Sequence, residues 1–306
     1  MTKWQLTGRY LFFSVWAVLM TALTYVLGAA SLRVLRQRLG RTGFWALAIG
    51  ISAVLFAARA PQLSVAFLSL VVLMGVFAEF EELGCGLMLS SAFTLLFNTL
   101  LAAGGLALWM YYKGPTWTQV LLDAVKKVFE PLNQLSPQIQ INYFDLMLQL
   151  PSIILILWMA AIYLAVLLED RLNVGTKGEV DAEALLPLPA SPMRSQLPTF
   201  RLPDACVWIF IASLLGAFGG VPWRAVEVIS VNVMNITLVL FFFQGAAIVV
   251  QFFNKLRMGW FWQMLFMILI VVQLFLFVSL IGLMDFWLDF RARMAKRPTE
   301  AKREEI

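Results

Sequence analysis

The chain has 306 residues, of which 61% are hydrophobic, 14% aromatic and 13% charged, and its mean hydropathy is +0.83. A soluble domain is nearer half apolar and a quarter charged, so an ordinary globular protein is excluded, as are disorder and a disulfide-stapled secreted module. Histidine is absent and the net charge is only +5, which removes the commonest general base and metal ligand and argues against nucleic acid as a partner.

This composition predicts an all-α, polytopic transmembrane helical bundle. A bilayer core of about 30 Å takes roughly 17–25 mainly apolar residues in a helix. In chain order the apolar runs lie at 10–32, 44–58, 62–78, 83–112, 144–168, 205–218, 226–253 and 260–287. That is a count of about eight spans. It falls to six or seven if the short second, third and sixth runs are half-helices or re-entrant segments. Gly28-Ala29-Ala30 has the form of a small-residue cleavage site, but Arg33, Arg36, Arg38 and Arg41 follow at once. Basic residues there oppose export, so the first run reads as a retained helix followed by a basic loop.

The third and fourth spans meet at Glu79, Glu81 and Glu82. Glu79 and Glu82, three apart, share a helix face. The cluster reads as an acidic loop at the membrane boundary or as a cation- or proton-binding carboxylate pair with no obvious third ligand. Between the fourth and fifth spans, 116–135 alternates an apolar face (Trp117, Leu121, Ala124, Val128, Leu132, Leu135) with a polar one. This predicts an amphipathic helix lying in the membrane interface, kinked or ended at Pro131.

Composition then divides the chain. Residues 1–168 form the N-terminal helices, and 169–203 is a charged linker carrying Pro187, Pro189, Pro192, Pro198 and Pro203. Residues 204–290 form a C-terminal three-helix part, and 291–306 a mixed tail. Six basic residues from Arg291 onward place that tail in the cytoplasm.

The seventh span carries Asn232, Asn235, Gln244, Gln251 and Asn254. Gln244 and Gln251 are seven residues apart, hence about 20° apart around a helix. Uncharged amides in hydrocarbon need hydrogen-bond partners, so this stripe either faces a neutral or weakly polar ligand or joins helices. The eighth span ends with Asp285, Trp287, Asp289, Arg291 and Arg293. Asp285 and Asp289 share a face, Asp289 and Arg293 have favourable helical pairing order, and Trp287 suits the headgroup region. This end is an interfacial anchor or a docking surface for a partner subunit.

Together, Arg201-Leu202-Pro203-Asp204, Asn232 with Asn235, Phe243-Gln244-Gly245-Ala246-Ala247, and Gly282 through Arg291 resemble the YybS-like family of predicted bacterial inner-membrane proteins. That family is in turn similar in fold to the substrate-binding membrane subunits of energy-coupling-factor vitamin transporters. The resemblance implies a multi-pass protein of the bacterial cytoplasmic membrane, acting as the substrate-binding subunit of a small-molecule uptake system. Cys85 and Cys206 stand alone in apolar runs, and no catalytic constellation, metal-ligand spacing or phosphate loop is present. The chain is therefore expected to be no enzyme, to carry no cofactor, and to depend on the bilayer, membrane partner subunits and a small-molecule ligand. The alternative function is a non-transporting scaffold that recruits envelope proteins.

Overall fold

The computed structural model describes residues 3–135, 142–174, 192–220 and 222–295, and among them all regular secondary structure is helical. Contacts divide the chain into two compact units, Met1–Gln196 and Leu197–Ile306.

The first unit contains α1 (Lys3–Thr24), α2 (Gly28–Ala57), α3 (Pro61–Glu82), α4 (Leu87–Lys113), α5 (Trp117–Leu135), α6 (Tyr143–Val174) and the short α7 (Pro192–Gln196). Local chemistry explains several ends. Pro61 opens α3, where its missing N–H costs nothing. Asn142 precedes α6, and its side-chain oxygen accepts from the Phe144 N–H at 3.1 Å, as an N-cap residue does. The apolar core is built from Phe44, Phe67, Leu70, Leu73, Met74, Phe77 and Val166, all buried.

Helix α4 inverts the usual pattern: Ser90, Thr94 and Asn98 are buried, while Leu96, Phe97, Leu100 and Leu101 are exposed. Polar-in and apolar-out is what a lipid solvent imposes. Among the described residues five helices, the whole of α2 counted as one, are long and apolar enough to cross a membrane by length and composition, or six if the bent pair Phe261–Val271 and Phe275–Leu288 is one span. Phe12–Thr24 and Ala205–Phe218 are shorter apolar helices. The chain is an all-α polytopic membrane bundle.

Three expectations change. The first run ends at Thr24, and Arg33–Arg41 is no loop, because α2 begins at Gly28 and carries these arginines inward. Helix α2 itself is broken at Gly40, whose φ of 68° is a conformation that suits glycine. Its first limb is 28–39 and its second 41–57. The run expected as an unbroken eighth span is two helices bent by 98°.

The segment expected at the membrane interface forms α5, which continues through Pro131 to Leu135. Val125 is buried, Asp123, Lys126, Lys127 and Glu130 are exposed, and so are Val120 and Val128. Of the stretch expected as a linker, 169–174 completes α6, 175–191 lies outside the described residues, and Pro192–Gln196 forms α7. The tail beyond residue 295 also lies outside the described residues.

The second unit contains α8 (Ala205–Phe218), α9 (Arg224–Lys255), α10 (Trp260–Gln273), α11 (Phe275–Leu288) and α12 (Phe290–Ala295). Its core gathers Phe241, Phe242, Ala246, Phe253 and Val278, with the Phe242 and Phe275 rings stacked at 5.0 Å. Helices α9 and α11 cross in direct backbone contact. A Cβ on Gly282 would fall on the Phe241 carbonyl oxygen, and one on Gly245 would fall on that of Val278. Only glycine permits this approach.

Candidate functional site

Charge is tolerated in apolar helices only where partners enclose it. The first unit holds such an enclosure at one end of the bundle. The Arg33 guanidinium, 3% exposed, donates to Glu81 at 2.8 Å and to Glu169 at 2.9 Å, and lies 5.1 Å from the centre of the Phe77 ring. Arg36 reaches Glu79 at 3.0 Å and Glu82 at 2.9 Å, and the exposed Arg41 also pairs with Glu79 at 3.2 Å. Gln37 donates to the second oxygen of Glu169. Helices α2, α3 and α6 are thus joined by side chains of opposite sign.

Beyond this cluster the chain makes a hairpin. α1 and the first limb of α2 run antiparallel: Thr21 lies against Gly28, and the Arg38 guanidinium sits 5.8 Å over the Phe13 ring. The turn between them, Tyr25 to Leu27, is tied to the middle of α3 and α6. Tyr25 Oη and Ser69 Oγ are 2.7 Å apart, and Trp158 Nε1 donates to Tyr25 Oη at 3.1 Å. Ser69 is eight residues into α3, about 12 Å along it, and Glu81 is a further twelve, about 18 Å.

The turn's backbone is satisfied locally. Tyr25 N–H donates to Thr21 O at 3.0 Å and Gly28 N–H to Tyr25 O at 3.2 Å. Non-helical backbone inside a bundle requires such satisfaction. Tyr25 itself has φ of 52°, the left-handed region, at a non-glycine residue.

The second unit holds a different cluster, neutral at its centre. The Gln244 side chain is buried. Its Oε1 accepts from Leu202 N–H at 2.9 Å, and its Nε2 donates to Gly282 O at 3.0 Å and to Asp285 Oδ2 at 3.3 Å. Asp285, fully buried, also accepts from Phe290 N–H at 2.9 Å and faces Arg291 Nε at 3.6 Å. Arg291 donates to Phe200 O at 2.6 Å. Burial pulls its guanidinium below the ordinary arginine range, and Asp285 opposes that shift. Gln251 donates to Pro198 O at 2.5 Å. Gln244, Gln251 and Arg291 therefore grip one segment, 198–202, by its backbone.

The sequence-predicted residues are distributed as follows. Glu79, Glu81 and Glu82 sit in the last turn of α3 rather than in a loop, and their oxygens face guanidinium groups. Glu169, read as the first linker residue, is buried in α6 because Arg33 pairs with it. Gln244 and Gln251 do share a face, and it is occupied by the chain's own segment. Asn254 accepts from Gln263 Nε2 at 3.1 Å. Asn232 donates to Val228 O in its own helix, and Asn235 is half-buried one turn further on.

At the end of α11 the expected continuous helix face is interrupted. Asp289 adopts a left-handed conformation with φ of 44°, which ends the helix. Asp285 therefore turns to Arg291, and Asp289 lies 3.8 Å from Arg201. Trp287 and Arg293 remain outside this network: Trp287 is exposed, and the Arg293 N–H bonds the Asp289 carbonyl.

Sequence reasoning missed Tyr25, Ser69, Trp158 and the part played by Arg33, Arg36 and Glu169. One signal was available. Arg33 and Arg36 have the same three-residue spacing as Glu79 and Glu82, so two helices can present complementary faces.

Residues 123–286, more than half of the chain, match a family model described as a predicted membrane protein. The match begins within α5 and ends within α11, so it takes in Gln244, Gly245, Gly282 and Asp285. No curated protein and no solved structure matches the chain. The chain belongs to the DUF2232 family of predicted membrane proteins.

Proposed function

We propose that this chain is the membrane-embedded, substrate-binding subunit of a small-molecule uptake system in a bacterial cytoplasmic membrane, without catalysis of its own. The observation that carries the reading is the hairpin turn Tyr25 to Leu27, set against the middle of α3 and α6 with Tyr25, Ser69 and Trp158 converging there. Discontinuous helices meeting inside a bundle are where membrane transporters build binding sites. The groups at this turn are hydroxyls and an indole, and the carboxylates about 18 Å further along α3 face guanidinium groups. A neutral or weakly polar solute suits such a site. The resemblance to YybS-like proteins, and through them to vitamin-transporter subunits, supports the same reading. With no phosphate-binding loop in its sequence, the subunit depends on partners for energy.

Thermal-shift screening of the detergent-solubilised protein against vitamins and neutral metabolites tests this. A solute at one hundred times its Kd should add about 2.7 kcal/mol of stability, and Trp158→Phe should weaken that stabilisation. A second reading, a scaffold that recruits envelope proteins, is favoured by one observation: Gln244, Gln251 and Asn254, like Tyr25, Ser69 and Trp158, commit hydrogen bonds to the chain itself. A screen without any stabiliser, together with a protein partner retained in native mass spectrometry, would replace the first reading by the second.

A further inference from the structure

We infer that the hairpin of α1 and the first limb of α2 is a re-entrant lid, entering and leaving by the membrane face at which α3 and α6 end, with Arg33 and Arg36 as its latch. The contacts fix its direction. From Tyr25 to Arg33 the partners advance from Ser69 to Glu81 on α3 and from Trp158 to Glu169 on α6, so this limb runs parallel to both. After Gly40 the order reverses. Arg41 meets Glu79, Trp45 lies against Gly75, and Ser52 O accepts from Ser64 Oγ. Two limbs of opposite direction joined at Gly40 cannot form one crossing.

Nor does the hairpin reach the far side. Its turn stops at Ser69, about 12 Å short of the Pro61 end of α3. The antiparallel α1 then leads back toward the arginine end, as Phe13 beneath Arg38 shows.

The attachment of this hairpin is uneven, and that is what makes it a lid. Its base is held by ion pairs and its tip by neutral hydrogen bonds. Leu32 and Leu35, both buried, pack its first limb against Phe44 of the second limb and Phe67 of α3. Gly40 (φ 68°) supplies the hinge between the limbs. Neutralising the carboxylates that face Arg33 leaves only the Arg36 pairs with Glu79 and Glu82 at the base, which weakens the directional hold while leaving the apolar packing in place. The hairpin can then tilt about Gly40 and expose its turn. This inference stands on the contacts of the hairpin with α3 and α6 and needs no solute.

The test uses the full chain in vesicles, with Cys85 and Cys206 replaced by alanine and a single thiol introduced by Val26→Cys at the turn. Leu83→Cys, in the exposed turn after α3, marks the arginine face. The probe is a membrane-impermeant maleimide applied to each side in turn. Val26→Cys should label only from the side that labels Leu83→Cys, and at least tenfold faster once Glu81→Gln and Glu169→Gln are added. Labelling from the opposite side, or an unchanged rate in a monodisperse latch variant, would overturn the inference.

Should the latch variants fail to fold, hydrogen exchange on the unmodified protein decides. Amides of 25–30 should exchange at least tenfold faster than those of 65–75 on α3. Equal protection would mean a fixed plug and no lid.

Discussion

The two units solve the same problem, polar groups inside apolar helices, by different chemistry. In the first unit four carboxylates meet arginines across three helices through long side chains. In the second an amide and a buried aspartate bind backbone groups, beside two glycines that bring α9 and α11 into contact. Ion pairs depend on charge and tolerate motion of the side chains that carry them. An amide wedged between touching backbones tolerates very little. The difference teaches that buried polar residues in one chain can serve a movable element in one place and a fixed crossing in another.

Substitutions can break or sharpen this contrast. The largest effect is expected for Arg33→Ala, which leaves Glu81 and Glu169 without their guanidinium. Removing one partner of a buried pair costs about 3–5 kcal/mol, read as a fall in unfolding free energy in detergent. A loss below ~1 kcal/mol would make the cluster peripheral to stability. Next comes Gly282→Val, whose side chain falls on the Phe241 carbonyl. Overpacking at a backbone contact should cost about 3 kcal/mol, and a neutral outcome would show that α9 and α11 can separate.

Gln244→Leu removes the acceptor for Leu202 N–H and a donor to Asp285. The unsatisfied groups should cost about 1–2 kcal/mol, accompanied by faster proteolysis near 198–202 as the backbone grip is lost. The smallest effect belongs to Arg41→Ala. Its side chain is 70% exposed, and a solvent-exposed pair contributes about 0.5 kcal/mol or less. A large loss there would extend the buried network to the surface.

Helix existence was legible because long apolar runs leave few alternatives in a bilayer: α3, α4, α6 and α9 lie where hydropathy places them. The start of α2 was not legible. Arg33 and Arg36 look like the end of a span until Glu79–Glu82 and Glu169 are brought beside them, and that pairing is tertiary. The break between Gln273 and Phe275 carries no proline or glycine, so nothing local announces it. At the candidate site, the shared face of Gln244 and Gln251 followed from the helical period. What covers that face is a segment more than forty residues away in sequence, which periodicity does not encode. Asp289 was misplaced on a continuous helix because a left-handed cap at aspartate has weak local signals.

The Arg33–Glu169 pair spans 136 residues of sequence, and this has a consequence for biogenesis. At about 5–20 residues per second, roughly 7–27 s separate the synthesis of the two residues. During that interval the hairpin carries arginines that the membrane disfavours and lacks one of the carboxylates that enclose them. The arrival of α3 supplies the first partners and that of α6 the last. Assembly of the N-terminal unit is thereby ordered by charge, with the first-made segment the last to be fully seated. Until then it is the part of the nascent chain most open to membrane quality control.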